Sequence, residues 1–391
     1  MTDTRVAVVR CDDYRPELVY QKMKEAVDLV GAMSAYVSPG ERVLLKPNLL
    51  SPKAPETAAL THPSVLEAAI RLVKETGGVP LVGDSPAYSA MSSCLKKGGM
   101  LPVLEKYNVE ILPFETSTEL RNPDGAFKVF EVAADILSVD KIINLPKLKT
   151  HGQMVMTLAV KNMFGVVVGG RKTQWHLRVG DKPRQFARMI VDLHYLVRPA
   201  LSILDGITAM EGNGPGSGDP VDLGLLLAGS DASAVDTVAC RIVGLDPSHL
   251  FTLAEAKKAG IGVTSPADIR VLGESIEDVS VEGFRFPPTA PLTAGVPGFI
   301  ARAARRVLTP RPIIDDEQCV MCGRCEEICA ARAISREKAG HMPAVTRSGK
   351  KRPPGRMSID YNRCIRCFCC QEICPEGAIT IKTGWFPRTR T

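Results

Sequence analysis

The chain has 391 residues, of which 45% are hydrophobic and 24% are charged, a composition typical of a globular protein of two or three domains. The net charge of +6 at pH 7 is too small to indicate nucleic acid binding. No apolar run is long enough for a transmembrane helix, and no basic start followed by an apolar stretch predicts a secretory signal, so we expect a cytoplasmic protein.

Residues 1–285 alternate short apolar segments with amphipathic ones. Short apolar runs are typical of buried strands, and apolar residues at helical spacing are typical of helices that cover a sheet. The pattern therefore predicts an α/β fold with a parallel or mixed sheet covered by helices. The predicted strands are 5–10, 42–46, 79–85, 141–146, 201–206 and 223–229, and the predicted helices are 19–33, 64–78 and 232–244.

Two residue pairs have the spacing of a capping box, in which Ser or Thr precedes Glu or Gln by three positions. Ser64 and Glu67 predict the start of one helix, and Thr150 and Gln153 predict that another helix begins at His151. The residues just before that helix would then lie at the carboxyl end of a strand. In open α/β sheets ligands bind at this edge, and a helix N-terminus favours anions.

Charged and polar side chains also follow the other predicted strands, so we expect a cationic cleft that binds a carboxylate or phosphate. His151 is the candidate general acid, because its ordinary pKa is near neutrality and nearby lysines lower that pKa. The candidate catalytic residues are His151, Lys149 and Lys161. The candidate substrate-binding residues are Lys46, Asn48, His62, Asp84, Ser85, Lys147, Asn162, Asp205 and Glu211.

Each of these assignments has a simpler alternative. The charges of a single turn can be solvated, His151 can be hydrogen-bonded to backbone, and His62 can serve only as a helix cap. The glycine-rich stretch 212–220 lacks the spacing of a dinucleotide-binding fingerprint, which leaves a mobile lid or a flexible loop.

Nine of the twelve cysteines lie between Cys319 and Cys374, in two runs of the form C-x2-C-x2-C-x3-C that start 45 residues apart. In this spacing three thiolates bind one [4Fe–4S] cluster and the fourth binds the other cluster. We therefore predict two [4Fe–4S] clusters, and zinc is the alternative. The predicted ligands are Cys319, Cys322, Cys325 and Cys374 for cluster 1, and Cys364, Cys367, Cys370 and Cys329 for cluster 2.

Cys369 is an additional thiol, which can be a packed side chain or a substitute ligand. Between the cysteine runs, residues 332–356 contain eight Lys or Arg and one Glu. This basic segment is either a solvated loop or a docking surface for an acidic redox partner. Aromatic residues for base stacking are missing, so we predict no nucleic acid partner.

Several motifs resemble known families. The chain is similar to the bacterial and archaeal iron–sulfur proteins of domain-of-unknown-function family 362 in "VLLKPNLL", "THPSVLEAAI", "GDSP", "INLPKLKTH", "AVKNMFG" and "DGITAMEGNGPG". About 65 C-terminal residues resemble bacterial two-cluster ferredoxins. These resemblances imply the fold and the clusters, but no particular reaction.

The stretch around His151 and Lys161 is also similar to the N-terminal part of nickel-pincer lactate racemases. In those enzymes a strand ends in a Pro–His stretch, which is followed by a glycine-rich turn and a helix that contains lysine. This resemblance implies a cleft at His151 and acid–base chemistry at a hydroxy- or keto-acid.

We predict an α/β domain at 1–285, a linker at 286–312 with a short basic amphipathic helix at 298–308, a small α+β two-cluster ferredoxin-like domain at 313–382 and a tail at 383–391. The predicted function is an oxidoreductase that passes electrons through the clusters to a small anionic substrate in the cleft. The alternatives are an electron-transfer subunit that docks a partner enzyme, and a redox sensor or maturation factor. Binding of a flavin without a recognised motif is not excluded by the sequence.

Overall fold

A computed structural model of the chain describes residues 3–86, 88–180, 182–288, 310–337 and 345–382. Its strands are β1 (Thr4–Arg10), β2 (Arg42–Pro47), β3 (Val79–Val82), β4 (Glu110–Ile111), β5 (Ser117–Arg121), β6 (Val129–Ala133), β7 (Lys141–Leu145), β8 (Lys147–His151), β9 (Val155–Thr157), β10 (Leu201–Glu211), β11 (Asp219–Gly229), β12 (Ile269–Gly273), β13 (Arg311–Ile314), β14 (Ile334–Glu337), β15 (Arg356–Ile359) and β16 (Ile379–Lys382).

The α-helices vary from four to fifteen residues. They are α1 (Pro16–Leu29), α2 (Pro63–Glu75), α3 (Met91–Lys97), α4 (Leu101–Tyr107), α5 (Ala159–Asn162), α6 (Arg171–Val179), α7 (Pro183–Val197), α8 (Ala232–Ile242), α9 (Phe251–Ala259), α10 (Ile276–Val279), α11 (Arg324–Glu327) and α12 (Cys369–Ile373). None of the helices in the described ranges has the length and apolar character needed to span a bilayer.

The α/β prediction is confirmed by a mixed sheet, to which ten strands of the described residues belong. The strand order is β12-β1-β11-β10-β7-β2-β3-β4, with β8 paired to β10 and β9. The strands from β10 through β7, β2 and β3 to β4 run parallel, whereas β11 is antiparallel to both of its neighbours. The carboxyl ends of β2, β3 and β7 therefore lie at one edge of the sheet.

Both faces of the sheet are buried, which explains why its strands are apolar runs rather than alternating ones. In β1, Val6 and Val8 contribute to one core, and Ala7 and Val9 contribute to the other. Helices α1 and α2 cover one face, and α7, α8 and α9 cover the other. The sheet thus forms the middle of three layers.

The helix predicted to begin at His151 is wrong. His151 is instead the last residue of β8, which pairs with β9 through Lys149–Thr157 and His151–Val155, and the next helix begins only at Ala159. The capping-box spacing did not determine the secondary structure of residues 147–151, because β8 also pairs with the distant strand β10. The strand conformation at 147–151 buries Lys147 and Lys149. A helix N-terminus at this place would have left these two side chains near the surface.

The predicted capping box of α2 is also wrong. The N-cap is His62, whose Nδ1 accepts a hydrogen bond from the Ser64 backbone N–H at 3.2 Å. Glu67 instead accepts hydrogen bonds from the side chains of Lys106 and Tyr107. His62 therefore caps α2, and its predicted role in substrate binding stays a prediction.

The C-terminal region contains two small antiparallel sheets, β13–β16 and β14–β15. It contacts the larger part of the molecule through α12, where the Gln371 side chain donates to the carbonyls of Asn213 and Gly214, at 3.0 Å each. The glycine-rich stretch is therefore packed against α12. The predicted domain boundaries stay predictions, and the linker helix at 298–308 and the tail at 383–391 lie outside the described residues.

Candidate functional site

A polar cavity lies at the carboxyl ends of β2, β3 and β8, where the sequence predicted a cleft. It encloses about 580 Å³ of empty space, including its opening to solvent. Its lining comes from five parts of the α/β region and from α12, so no single segment forms it. The lining residues are Asn48, Leu49, Leu50, Asp84, Ser85, Tyr88, His151, Thr157, Lys161, Asn162, Phe164, Gly165, Lys172, His176, Phe186 and Glu372.

Three lysines cluster at this cavity. Lys46, at the end of β2, is fully buried and forms an ion pair of 2.8 Å with Asp84, which follows β3. Lys172 of α6 donates to the carbonyls of Ser85, at 2.6 Å, and Val167. Burial lowers the pKa of Lys172 to about 7 and also lowers the pKa of Lys161. Both lysines thus lose their proton more readily than a surface lysine.

His151 is held in one tautomer by both of its ring nitrogens. Nδ1 accepts hydrogen bonds from the backbone N–H groups of Gln153 at 3.1 Å and Met154 at 3.3 Å, and Nε2 lies 3.1 Å from Glu372 Oε1. Nε2 must therefore carry the proton that reaches Glu372. Burial lowers the pKa of His151 to about 4, and the pKa of Glu372 is about 2 in the presence of His151 and Lys161. The pair is a neutral imidazole that donates to a carboxylate.

An amide ladder joins the predicted residues Asn48 and Asn162. Asn48 Nδ2 donates to Asn162 Oδ1 at 2.8 Å, and Asn162 Nδ2 donates to Asn144 Oδ1 at 2.8 Å. Two backbone N–H groups at the start of α5, those of Ala159 and Val160, donate to the buried carboxylate of Asp236 at 2.7 and 3.1 Å. These contacts fix α5 and therefore fix the position of Lys161.

Six of the predicted site residues do not line the cavity, namely Lys46, described above, and His62, Lys147, Lys149, Asp205 and Glu211. Lys147 and Asp205 form a separate buried ion pair of 2.8 Å, and Tyr14 bridges them by donating to Asp205 Oδ1 at 2.8 Å. His62 stacks on Tyr14 with ring centroids 3.6 Å apart. These contacts satisfy the charges internally, so this group holds β8 and β10 against the start of α2.

Lys149 and Glu211 are likewise outside the lining. Lys149 donates to the Ala59 carbonyl at 2.6 Å, and burial lowers its pKa to about 7. Glu211 lies at the end of β10 and forms an ion pair of 2.7 Å with Arg285. The structure gives Glu211 a role in holding β10, rather than one in the cleft.

Sequence reasoning missed ten of the lining residues, of which Tyr88, Lys172, His176 and Glu372 are titratable. Lys172 and His176 are four residues apart, which places them on one face of α6. That spacing was a usable signal. No comparable signal pointed to Glu372. It occupies the position in the second cysteine run that Glu327 occupies in the first run, and Glu327 is exposed.

The eight predicted cluster ligands are grouped around two further cavities, each with about 360 Å³ of empty space. The N–H groups of Ala333 and Ala378 donate to Cys329 Sγ at 3.1 Å and to Cys374 Sγ at 3.3 Å, and such bonds stabilise thiolate ligands. Cys369 is buried and also lines the second cavity, beside the predicted ligands. The first cavity is lined by Cys319, Cys322, Cys325 and Cys374, and the second by Cys329, Cys364, Cys367 and Cys370.

Much of the charge of the basic segment 332–356 is neutralised within the C-terminal region. Lys350 pairs with Glu376 at 2.7 Å, Arg356 pairs with Glu337 at 3.0 Å, and Arg347 pairs with Glu317. These pairs reduce the positive field that an acidic partner would meet. A docking surface at this segment stays a prediction.

Replacing Gly165 with alanine is expected to destabilise the cavity wall. A Cβ atom at Gly165 would clash with both members of the Lys46–Asp84 ion pair, so we expect a loss of about 1–3 kcal/mol in the free energy of unfolding. Gly170 has an ordinary φ of −61° and open space around it, which makes Gly170→Ala the matched control. Equal stability of the two variants in anaerobic urea unfolding would contradict this packing.

Stability is expected to fall as the pH drops from about 6.5 towards 4. Burial lowers the pKa of His62, His151 and His176 to about 4 and that of His194 to about 3. Histidines of the unfolded chain bind protons below about 6.5, whereas these folded ones do not, so acidification favours unfolding in this window.

The His194→Gln variant removes one of these four titrating groups. His194 is suited to this test because it is buried on α7 and is distant from the cysteine runs in the sequence. We expect the unfolding free energy of the variant to depend less steeply on pH. Its slope should be smaller than that of the wild type by up to about 1.4 kcal/mol per pH unit. Urea unfolding at several pH values between 6.5 and 4.5 measures this slope. Parallel slopes would mean that His194 titrates normally.

Comparisons with known proteins agree with this architecture. The family described as domain of unknown function (DUF362) matches residues 43–241, and a 4Fe–4S dicluster domain matches residues 309–378. The thylakoid-associated protein sll1697 of Synechocystis sp. is 36% identical over 293 residues, which are 75% of this chain and 91% of that protein.

Two solved structures are similar to this chain at low TM-scores. The lactate racemase apoprotein from Thermoanaerobacterium thermosaccharolyticum has a TM-score of 0.40 and 11% identity, over 59% of this chain and 54% of the racemase. A protein from Thermotoga maritima has a TM-score of 0.37 and 14% identity, over 64% of this chain and 60% of its own. The alignment thus spans only about half of the racemase. The sequence matches, by contrast, cover both parts of the chain, which is an iron–sulfur protein of the DUF362 family with a C-terminal 4Fe–4S dicluster domain.

Proposed function

We propose that this protein is an iron–sulfur oxidoreductase that passes electrons through two [4Fe–4S] clusters to a small anionic molecule in the polar cavity. The observation that carries the proposal is the 3.1 Å contact between His151 and Glu372. Glu372 belongs to α12, the same short helix that contains Cys370. The cavity and a candidate cluster ligand are therefore two residues apart in one rigid element.

The cysteines fit the clusters that the dicluster domain implies. Cys319, Cys322, Cys325 and Cys374 would hold cluster 1, and Cys364, Cys367, Cys370 and Cys329 would hold cluster 2. Two separate cavities support this division, because each is lined by four predicted ligands and has a backbone N–H bonded to a thiol sulfur. When bound, each cluster supplies one electron at a time, at a potential set by hydrogen bonds and exposure.

The side chains of the cavity have separate tasks. Lys161 and Lys172 attract the anion, and both are candidate proton donors because they line the cavity and burial lowers the pKa of each. His151 does not act as an imidazolium near neutral pH, since its pKa is about 4. It serves as a neutral N–H donor that holds Glu372 in place. Phe164 and Phe186 exclude water from one side.

The two ends of the cysteine region differ in exposure, which suggests a direction for electron entry. Cys322 is exposed, whereas Cys370 is buried beside the cavity region. An external electron donor would reach the Cys322 side first, and the Cys370 side would face the substrate. The donor's identity and a cytoplasmic location stay predictions.

The test separates an enzyme from an electron-transfer subunit. The holoprotein is reduced anaerobically, freed of reductant and mixed with either the small-molecule or the macromolecular fraction of a host extract, while cluster absorbance is followed. A bacterial two-cluster ferredoxin without the α/β region is the matched control. We expect the small-molecule fraction to reoxidise this protein faster than the control.

If only the macromolecular fraction reoxidises the protein, the electron-transfer alternative is correct. If neither fraction does so, while oxidation changes the protein's conformation, the sensor alternative is correct. A small-molecule effect that is equal in the control would mean that the α/β region contributes nothing, and it would refute the proposal.

A further inference from the structure

The two lysines that line the polar cavity have no carboxylate partner among the described residues. Both carboxylates of the lining are already engaged, Asp84 with Lys46 at 2.8 Å and Glu372 with His151 at 3.1 Å. Lys172 is anchored only by carbonyl oxygens, and Lys161 makes no hydrogen bond or ion pair with another described residue. Glu372 and Asp84 act on these two lysines only from beyond ion-pair distance. A buried lysine without a direct counterion is costly, so the position of both in a cavity wall points to an anionic ligand.

Three polar atoms of the lining also lack hydrogen-bond partners in the part of the chain that the structure describes. They are Thr157 Oγ1, His176 Nδ1 and Asn48 Oδ1, and the first two belong to side chains that are only 3% and 5% exposed. Buried polar atoms are nearly always hydrogen-bonded, which makes three orphans around one cavity unusual. Thr157 can donate to an anion, and the other two atoms can accept from a polar group on the ligand.

The lining also contains apolar and aromatic side chains. Phe164 and Phe186 meet edge-to-face with ring centroids 5.2 Å apart, and His176 stacks on Phe186 at 4.3 Å. Leu49 and Leu50 also belong to the lining. A ligand that fills the cavity must therefore bury an apolar body as well as a charge.

The composition of the lining favours a carboxylate over a phosphate. Phosphate sites typically use arginine forks or the N–H groups of a helix N-terminus, and the lining of this cavity contains no arginine. Asp84 and Glu372 would also repel a dianion more strongly than a monoanion. Two lysine ammonium groups are sufficient for one negative charge. Lys161 and Lys172 both line the cavity, so it presents two ammonium groups to one ligand.

We propose that the polar cavity binds an organic monocarboxylate with an apolar or aromatic body. Its carboxylate lies between Lys161 and Lys172, and its body lies against Phe164 and Phe186. This inference names the class of molecule that the cavity of the proposed function binds, and it rests on that function for the role of the bound molecule. Binding itself is measured without any electron transfer.

Titration calorimetry of the anaerobic holoprotein tests the inference with benzoate, acetate and inorganic phosphate as probes. We expect benzoate to bind more tightly than acetate, and phosphate to neither bind the cavity nor displace benzoate. Lys161→Met is expected to weaken benzoate binding about tenfold or more, as the loss of one charged contact predicts. Lys24→Met, on the exposed side of α1, is the matched control and should leave binding unchanged.

A second variant protects the test against misfolding. Thr157→Val keeps the shape of the side chain and removes its unpartnered hydroxyl, so it should also weaken benzoate binding. Phosphate that binds more tightly than benzoate, absence of benzoate binding, or wild-type affinity in both cavity variants would overturn the proposal. Benzoate binding without reoxidation by small molecules would leave this inference standing and refute the oxidoreductase.

Discussion

Replacing Cys370 with alanine is expected to remove about half of the protein's iron, from about eight atoms to about four per chain. The reason is that Cys370 lines the second cysteine cavity and would be one of its four cluster ligands. Cluster 1 should survive, because none of its candidate ligands is changed. Iron analysis and electron paramagnetic resonance of the reduced, anaerobically purified protein measure the loss.

The neighbouring Cys369 provides a matched control. It is the same side chain, one position earlier, and is also buried in the lining of the second cavity. Its Sγ lies 3.9 Å from the Cys367 carbonyl oxygen, as expected for a packed thiol that is not a ligand. Cys369→Ala should therefore retain about eight iron atoms. Loss of iron from Cys369→Ala, with retention in Cys370→Ala, would reverse the ligand assignment.

Replacing Lys46 with methionine is expected to cost about 3–5 kcal/mol of unfolding free energy, because it leaves the Asp84 carboxylate buried without its counterion. Both side chains of this ion pair are almost fully buried, with exposed fractions of 0% and 3%. Methionine preserves much of the aliphatic volume of lysine, so the effect reports mainly on charge. Urea unfolding under anaerobic conditions measures it.

Two further variants separate charge from packing in this experiment. Lys141→Met breaks a surface pair with Glu41, whose N–O distance is 3.9 Å, and should cost at most about 1 kcal/mol. Adding Asp84→Asn to Lys46→Met removes the uncompensated charge and should restore part of the stability. If Lys46→Met and Lys141→Met are equally stable, the buried pair does not hold β2 and β3 together.

The α/β fold and the cysteine grouping were predictable because both depend on local patterns. Strands such as β1 and β7 are continuous apolar runs, since both faces of the sheet are covered. The cysteine spacing is local as well. The segment 147–151 was predicted wrongly because its conformation depends on pairing with β10, more than fifty residues away in the chain.

The composition of the cavity was only partly predictable. Lys46, Asp84 and Lys161 follow strands or lie on the next helix, so the rule for strand ends located them. Lys147 follows a strand equally well but points into a separate ion pair with Asp205, and no local pattern distinguishes the two cases. Glu372 enters the cavity only because α12 docks against β8, which is a long-range contact.

The most direct test of the account measures electron delivery to the cavity in Lys161→Met. Reduced wild type, Lys161→Met and the control Lys24→Met are mixed with the small-molecule fraction of the host extract, and reoxidation is followed by stopped-flow absorbance. We predict that Lys161→Met reacts about 100-fold more slowly than the other two, a loss typical of removing one charged group from an active site, with unchanged iron content. Equal rates in all three proteins would contradict the account, because the electrons would then leave the clusters without passing to a molecule in the polar cavity.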